Sequence, residues 1–172
     1  MIFIGVITEK KNRKCIYKIL RHKLEKEYNI IMLEKASAEN YKNIKFETIL
    51  INSNAQEEFD NQEYITKILQ NSNYIIVNSD VEENLNLIQN LDKTIITFGF
   101  EHKSTITASS VEDNRIILSI QRNIRGFNGK NIDIQEIEKE LQYNDNKYNT
   151  HNRIGIMALE IMYDIWWKTL NS

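Results

Sequence analysis

The sequence predicts an α/β fold: a mostly parallel sheet flanked by helices, with a small antiparallel β extension. In the first part of the chain, short apolar runs alternate with segments whose apolar residues recur every three or four positions, the spacing of one helix face. The runs are apolar at consecutive positions, which is typical of strands buried on both faces of a parallel sheet. The five predicted strands cover residues 2–7, 29–33, 46–51, 74–78 and 94–98.

Three sets of apolar residues between these strands predict amphipathic helices. The first set follows the first strand, the second lies between the third and fourth strands, and the third precedes the fifth strand. Their members are Cys15, Ile16, Ile19, Leu20 and Leu24, then Phe59, Tyr64, Ile65, Ile68 and Leu69, and then Leu85, Ile88 and Leu91. A further amphipathic pattern over residues 154–170 predicts a helix that closes the domain.

After residue 99 the pattern changes to an alternation of apolar and polar side chains. Residues 105–109, 115–121 and 131–137 predict two or three antiparallel strands with one solvated face. Gly126 and Gly129 bracket a turn. The polar residues 143–149 predict a loop. Because no linker is recognisable, we expect a single domain over residues 1–172.

Composition and charge argue against several classes of function. The chain has 22 Lys and Arg residues against 24 Asp and Glu residues. This balance gives no general attraction to nucleic acid or anionic lipid, so nucleic-acid binding is the weakest functional hypothesis. No apolar run approaches the roughly 18 residues of a membrane span. The single cysteine, Cys15, has no internal disulfide partner. We therefore expect a cytoplasmic protein without a membrane segment.

Polar segments follow four of the predicted strands, at residues 8–14, 53–56, 79–82 and 99–103. The carboxyl ends of parallel strands lie along one edge of a sheet, and ligands of open α/β sheets bind there. We therefore expect any site at this edge.

Several segments, in order along nearly the whole chain, resemble the ATP-binding central domain of Mur ligases, which join amino acids to peptidoglycan precursors. The likeness lies in the shared order, because each motif is short. The segments are Ile4-Gly5-Val6-Ile7-Thr8, Asn12-Arg13-Lys14-Cys15 (the family has Asn-Gly-Lys-Thr), Phe46 to Asn52, Ile76-Val77-Asn78-Ser79-Asp80, Thr94 to Gly99, and His151-Asn152 with Ala158-Leu159. Residues 98–100, 105–110 and 120–122 also resemble short clostridial proteins similar to a free-standing Mur central domain.

The resemblance implies a P-loop-like nucleotide site. Thr8, Asn12 and Lys14 would belong to its phosphate loop, and Asn152 to a further contact with the nucleotide. Such a loop needs glycines, because backbone N–H groups must closely approach the phosphates. Glu9 and Arg13 stand where glycines belong, and Cys15 replaces the hydroxyl that holds Mg²⁺. We expect no cofactor and a solvated basic helix face; the alternative is ATP with Mg²⁺.

Other candidate residues have two interpretations each. Glu34 lies near the position of the family's second metal ligand, but a surface glutamate is the simpler interpretation, and we predict no metal site. The pair His151-Asn152 either caps the last helix or takes part in binding. His102 lies at the strand-end edge, and His22 on a solvated helix face. Cys15 is either a small residue facing the sheet or a reactive thiol near a helix start.

We expect a non-catalytic binding or regulatory module with the Mur ligase fold, linked to cell-envelope metabolism. One alternative is an ATP-dependent, amide-bond-forming ligase component completed by another chain. Another is a small-ligand binder that uses the edge between Ser79 and Lys103. No catalytic residue is assigned. Trp166 and Trp167 point about 100° apart on a helix. Either that helix is buried on two sides, or it contacts a partner protein or a second copy in a homodimer.

Overall fold

The structure is a computed structural model that describes residues 1–24, 28–112, 114–140 and 149–164. Within these ranges it contains strands β1 (Ile2–Ile7), β2 (Tyr28–Met32), β3 (Phe46–Ile51), β4 (Ser72–Asn78), β5 (Thr94–Gly99), β6 (Ile106–Val111), β7 (Arg115–Ile120), β8 (Ile124–Arg125), β9 (Asn131–Ile132) and β10 (Gln135–Glu140). The α-helices are α1 (Lys10–Lys23), α2 (Ala38–Tyr41), α3 (Ala55–Glu58), α4 (Gln62–Gln70), α5 (Glu82–Ile88) and α6 (Thr150–Met162).

The main sheet has the spatial order β10-β7-β6-β5-β4-β3-β1-β2. The strands from β2 to β6 pair in parallel. β7 pairs antiparallel with both β6 and β10, and these strands continue the same sheet. The predicted fold class is therefore confirmed: a mostly parallel sheet with an antiparallel extension.

The sheet is covered on both faces by separate apolar clusters. On one face, α1 and α6 pack on the even-numbered side chains of β1, such as Ile4 and Val6. On the other face, α2 to α5 pack on Ile7 and on residues of β3 and β4. Apolar runs that are buried on both faces are what a parallel sheet between two helix layers requires.

Two predicted elements, one helix and one strand, are each divided in the structure. A helix cap interrupts the first, and a change of strand partner interrupts the second. The helical pattern from Phe59 to Leu69 is broken, since Asn61 accepts a hydrogen bond from the N–H of Glu63 and starts α4 as a new helix. The predicted strand 131–137 is two strands in different sheets: β9 pairs with β8 across a hairpin that contains Gly129 at φ 78°, and β10 pairs with β7.

The last helix also differs from its predicted range of 154–170. α6 begins four residues earlier, at Thr150, and ends at Met162, where Tyr163 caps it and Asp164 adopts a φ of 56°. Trp166 and Trp167 lie outside the described residues, so a partner contact through them stays a prediction. Light scattering over a concentration series tests the homodimer.

Candidate functional site

The edge at which the parallel strands end is the candidate site. We call it the carboxyl edge; Thr8, Asn52, Ser79 and Phe100 follow the last residues of β1, β3, β4 and β5 there. Both α1 and α6 begin at this edge, so two helix N-termini point toward it. The donor groups and the positive dipole end of a helix N-terminus favour negatively charged groups.

Only Thr8 and Glu9 connect β1 to α1. The chain enters the helix directly, and the N–H of Asn12 already bonds the carbonyl of Glu9 at 2.9 Å. Phosphate loops that precede a helix wrap their backbone N–H groups around the phosphates over several residues. In this protein only two residues lie between the last residue of β1 and the first residue of α1.

Arg13, in the first turns of α1, is held by three oxygens. Its Nη1 donates to Glu34 at 2.9 Å, its Nη2 donates to Glu58 at 2.6 Å, and its Nε donates to the carbonyl of Thr8 at 3.3 Å. The Arg13 and Glu58 side chains are each only 17% exposed. One guanidinium therefore joins the start of α1 to the segment after β2 and to α3.

The structure brings together two of the four predicted cofactor-binding residues. Thr8 and Asn152 are both buried, and the Thr8 hydroxyl donates to the Asn152 Oδ1 at 3.3 Å. Asn12 instead donates to Glu9, at 3.4 Å. Lys14 is exposed on α1. Of the four residues, Thr8 and Asn152 are therefore joined by a direct hydrogen bond.

Asn84, on α5, joins three segments at the carboxyl edge. Its Nδ2 donates to the carbonyls of Ser53, at 3.0 Å, and Asn78, at 3.2 Å, and its Oδ1 accepts from the N–H of Ala55 at 3.0 Å. Asn78 in turn donates to the carbonyl of Asn52 at 3.2 Å. Buried polar groups need such partners, so the bonds of Asn84 tie the ends of β3 and β4 to α3 and α5.

Asn52, after β3, and Asn152, on α6, are buried amides with fewer hydrogen bonds than Asn84. Among the described residues, neither amide atom of Asn52 has a hydrogen-bond partner, and the same holds for the Nδ2 of Asn152. A Cβ on Gly155 would overlap the Asn52 amide and lie 2.8 Å from the Phe98 ring. Glycine at this position therefore lets α6 lie directly on the strand ends.

His151 joins the start of α6 to the ends of β4 and β5. Its Nε2 lies 2.9 Å from Asp80, whose carboxylate also accepts the N–H of Phe100 at 2.9 Å. The His151 and Phe100 rings pack edge to face with centroids 5.0 Å apart. The prediction that the His151-Asn152 pair caps α6 is wrong: the cap is Asn149, whose side chain accepts from the N–H of Asn152 at 2.9 Å.

The remaining candidate residues are Glu34, His22, His102 and Cys15. Glu34 pairs with Arg13, and the described residues contain no group of three or more His, Cys, Asp or Glu side chains that could hold a metal ion. His22 is exposed, as predicted, and His102 is exposed after the end of β5. Cys15 is half-buried against the apolar cluster under α1. No helix in the described ranges is both long and apolar enough to cross a membrane.

Sequence reasoning placed Asp80 at this edge but not its contacts with His151 and Phe100, and it missed Gly155 and Asn149. Asp80 and Gly155 meet partners far along the chain, which no local pattern indicates. Asn149 could have been found from the sequence, because asparagine is a common N-cap residue immediately before the first residue of a helix.

The mostly parallel sheet, its antiparallel extension and the two helix layers form a fold similar to that of a Mur ligase. The solved structure that shows this is the UDP-N-acetylmuramate:L-alanyl-gamma-D-glutamyl-meso-diaminopimelate ligase from Neisseria meningitides, with a TM-score of 0.60 and 10% sequence identity. The match covers 95% of this chain and 61% of the ligase chain. No protein-family model and no curated protein matches the sequence. At this identity, the likeness shows the fold alone.

Proposed function

We propose that the chain is a binding or regulatory module with a Mur ligase-like fold, whose phosphate loop is degenerate and does not hold ATP. The observation that carries this proposal is the two-residue connection Thr8-Glu9, closed by Arg13 and its two carboxylate partners.

The surroundings of Arg13 support this interpretation in two ways. The guanidinium is already bound by Glu34 and Glu58, so a phosphate would have to compete with two carboxylates for it. Glu9 adds a third carboxylate at the start of α1, where it pairs with Lys11 at 2.7 Å. Mg²⁺ and ATP therefore do not fit the residues at this connection.

Thermal unfolding in the presence of Mg-ATP tests the proposal. A ligand at 100 times its dissociation constant adds about 2.7 kcal/mol to the free energy of unfolding, which raises the melting temperature of a domain of this size by roughly 5–10 °C. We expect no shift at millimolar Mg-ATP. A shift that is lost in Lys14→Met but kept in Lys18→Met, an exposed lysine of the same helix, would contradict the proposal.

We also propose that this module acts in the cytoplasm and is linked to cell-envelope metabolism. This link is supported by the name of the similar ligase, which includes UDP-N-acetylmuramate. The same melting assay with UDP-N-acetylmuramate tests it. A saturable rise in melting temperature would favour the link, and no rise would remove this compound as a ligand.

The second candidate function is an ATP-dependent ligase component that another chain completes. The contact between Thr8 and Asn152 favours it, because it joins the starts of α1 and α6 at the edge where α/β proteins bind ligands. Affinity purification of the tagged chain from its own cells, followed by an assay for ADP release, tests this function. ADP release that requires both the partner and Lys14 would favour the ligase component over the non-catalytic module.

A further inference from the structure

Three charged side chains meet in a buried cluster on the face of the sheet opposite α2 to α5. Glu160, on α6, is only 2% exposed. One of its carboxylate oxygens accepts a hydrogen bond from Lys139, on β10, and the other forms an ion pair with Lys23, the last residue of α1. The Lys23 and Lys139 side chains are 17% and 13% exposed. Two ammonium groups therefore share one carboxylate away from bulk water.

The position of Lys139 on β10 explains its burial. Side chains alternate across a strand, and Lys139 lies on the same side as the buried Ile137, whereas the acidic residues on either side of it are exposed. Its partner in β7 is the apolar Ile116. Within the described residues, the charged groups that act on its amine are Lys23 from α1 and Glu160 from α6.

The charges of this cluster balance only when one amine is neutral. With both lysines protonated, the cluster carries one excess positive charge, and a buried, uncompensated charge is costly. Burial lowers the pKa of Lys139, and the neighbouring Lys23 lowers that pKa further, against the opposing effect of Glu160. Loss of the Lys139 proton leaves a neutral pair of Lys23 and Glu160.

We propose that Lys139 is a nucleophilic amine that condenses with small aldehydes. An amine attacks a carbonyl only in its unprotonated form, and a lysine that is desolvated next to another cationic group is the usual way a protein supplies one. The Lys139 nitrogen forms a bond to the carbonyl carbon, and the carbonyl oxygen leaves as water with the two protons of the amine. The product is a neutral imine, which preserves the pairing of Lys23 with Glu160.

The exposure of Lys139 restricts the class of reagent. With 13% of its side chain exposed, Lys139 admits a small aldehyde more readily than a bulky one. This reactivity is independent of whether the carboxyl edge binds a nucleotide, because it involves α1, α6 and β10 away from Thr8 and Asn152.

Reductive methylation with formaldehyde and cyanoborohydride, mapped by mass spectrometry, tests the proposal on the intact chain. The ratio of labelling at Lys139 to labelling at Lys18, an exposed lysine on α1, is measured from pH 7 to pH 10. A difference in access alone gives the same ratio at every pH. If Lys139 loses its proton at a lower pH than Lys18, the ratio falls as pH rises, toward the value set by access alone.

We expect the Lys139:Lys18 ratio to fall between pH 7 and pH 10, because burial and the neighbouring Lys23 lower the pKa of Lys139. Lys23→Gln should make the fall smaller, because it removes the neighbouring cation, whereas Arg21→Gln, an exposed control on the same helix, should leave it unchanged. A ratio that does not change with pH in the wild-type protein, or no methylation of Lys139, would overturn the proposal whether or not the variants fold.

Discussion

Gly155→Ala tests how closely α6 lies on the strand ends. Gly155 is buried, and a Cβ there would overlap the Asn52 amide and lie 2.8 Å from the fully buried Phe98 ring. Overpacking of this kind costs roughly 1–3 kcal/mol. In a helix, alanine is favoured over glycine by up to about 1 kcal/mol. The two effects oppose each other, and we expect a net loss of about 1–2 kcal/mol in the free energy of unfolding.

Adding Asn52→Ala to Gly155→Ala removes the overlapping amide, so the double variant should regain part of the loss. We expect a coupling energy of at least about 1 kcal/mol between the two positions, as for other residues in contact. Urea unfolding followed by far-UV circular dichroism measures all four states of the cycle. Ala158→Gly, at another buried position of α6, is the control for helix propensity. Full additivity, or an unchanged stability of Gly155→Ala, would refute this account of the packing.

Three further predictions concern single contacts. Arg13→Met should lower the free energy of unfolding by about 1–3 kcal/mol, because it leaves two carboxylates without their cation; Lys14→Met, on the exposed side of the helix, should change it by less than about 0.5 kcal/mol in urea unfolding. Asn149→Ala should cost about 1 kcal/mol by removing the cap of α6, and Asn149→Ser should restore most of this loss in the same assay. Burial raises the pKa of Tyr163, so the folded state keeps its proton while the unfolded state loses it, and stability should fall as pH rises above about 10. Tyr163→Phe should weaken that fall in melts from pH 9 to pH 11, and should itself cost about 1–2 kcal/mol at neutral pH, because the buried Thr48 hydroxyl loses its partner at 3.0 Å. An equal fall with pH in both proteins would contradict the assignment.

The sheet was predictable because its signal is local. A run of consecutive apolar residues indicates a strand buried on both faces, and the five predicted strands lie within two residues of the observed bounds. The alternation after residue 99 likewise predicts the antiparallel strands, whose side chains are half-buried and buried in turn along β7. The split of residues 131–137 was not predictable, because the alternation continues across the break while the strand partner changes.

The candidate site was less predictable because its contacts link distant parts of the chain. Arg13 meets Glu34 and Glu58, 21 and 45 residues away, and each of these charges resembles a solvated residue in its local context. The burial of Lys139 was not predictable for the same reason. A lysine on an amphipathic strand is expected at the surface, and Lys139 is buried because α1 and α6 pack against it. The departure of Glu9 and Arg13 from a glycine-rich loop was visible in the sequence, but the ion pairs that Arg13 forms there were not.

Titration calorimetry with Mg-ATP tests the central claim most directly, because it measures binding at the connection between β1 and α1 without requiring catalysis. The account predicts only heats of dilution up to millimolar Mg-ATP, for the wild-type protein and for Asn152→Ala alike. Saturable binding of one ATP per chain, weakened by Lys14→Met or Asn152→Ala and unaffected by Lys18→Met, would contradict it.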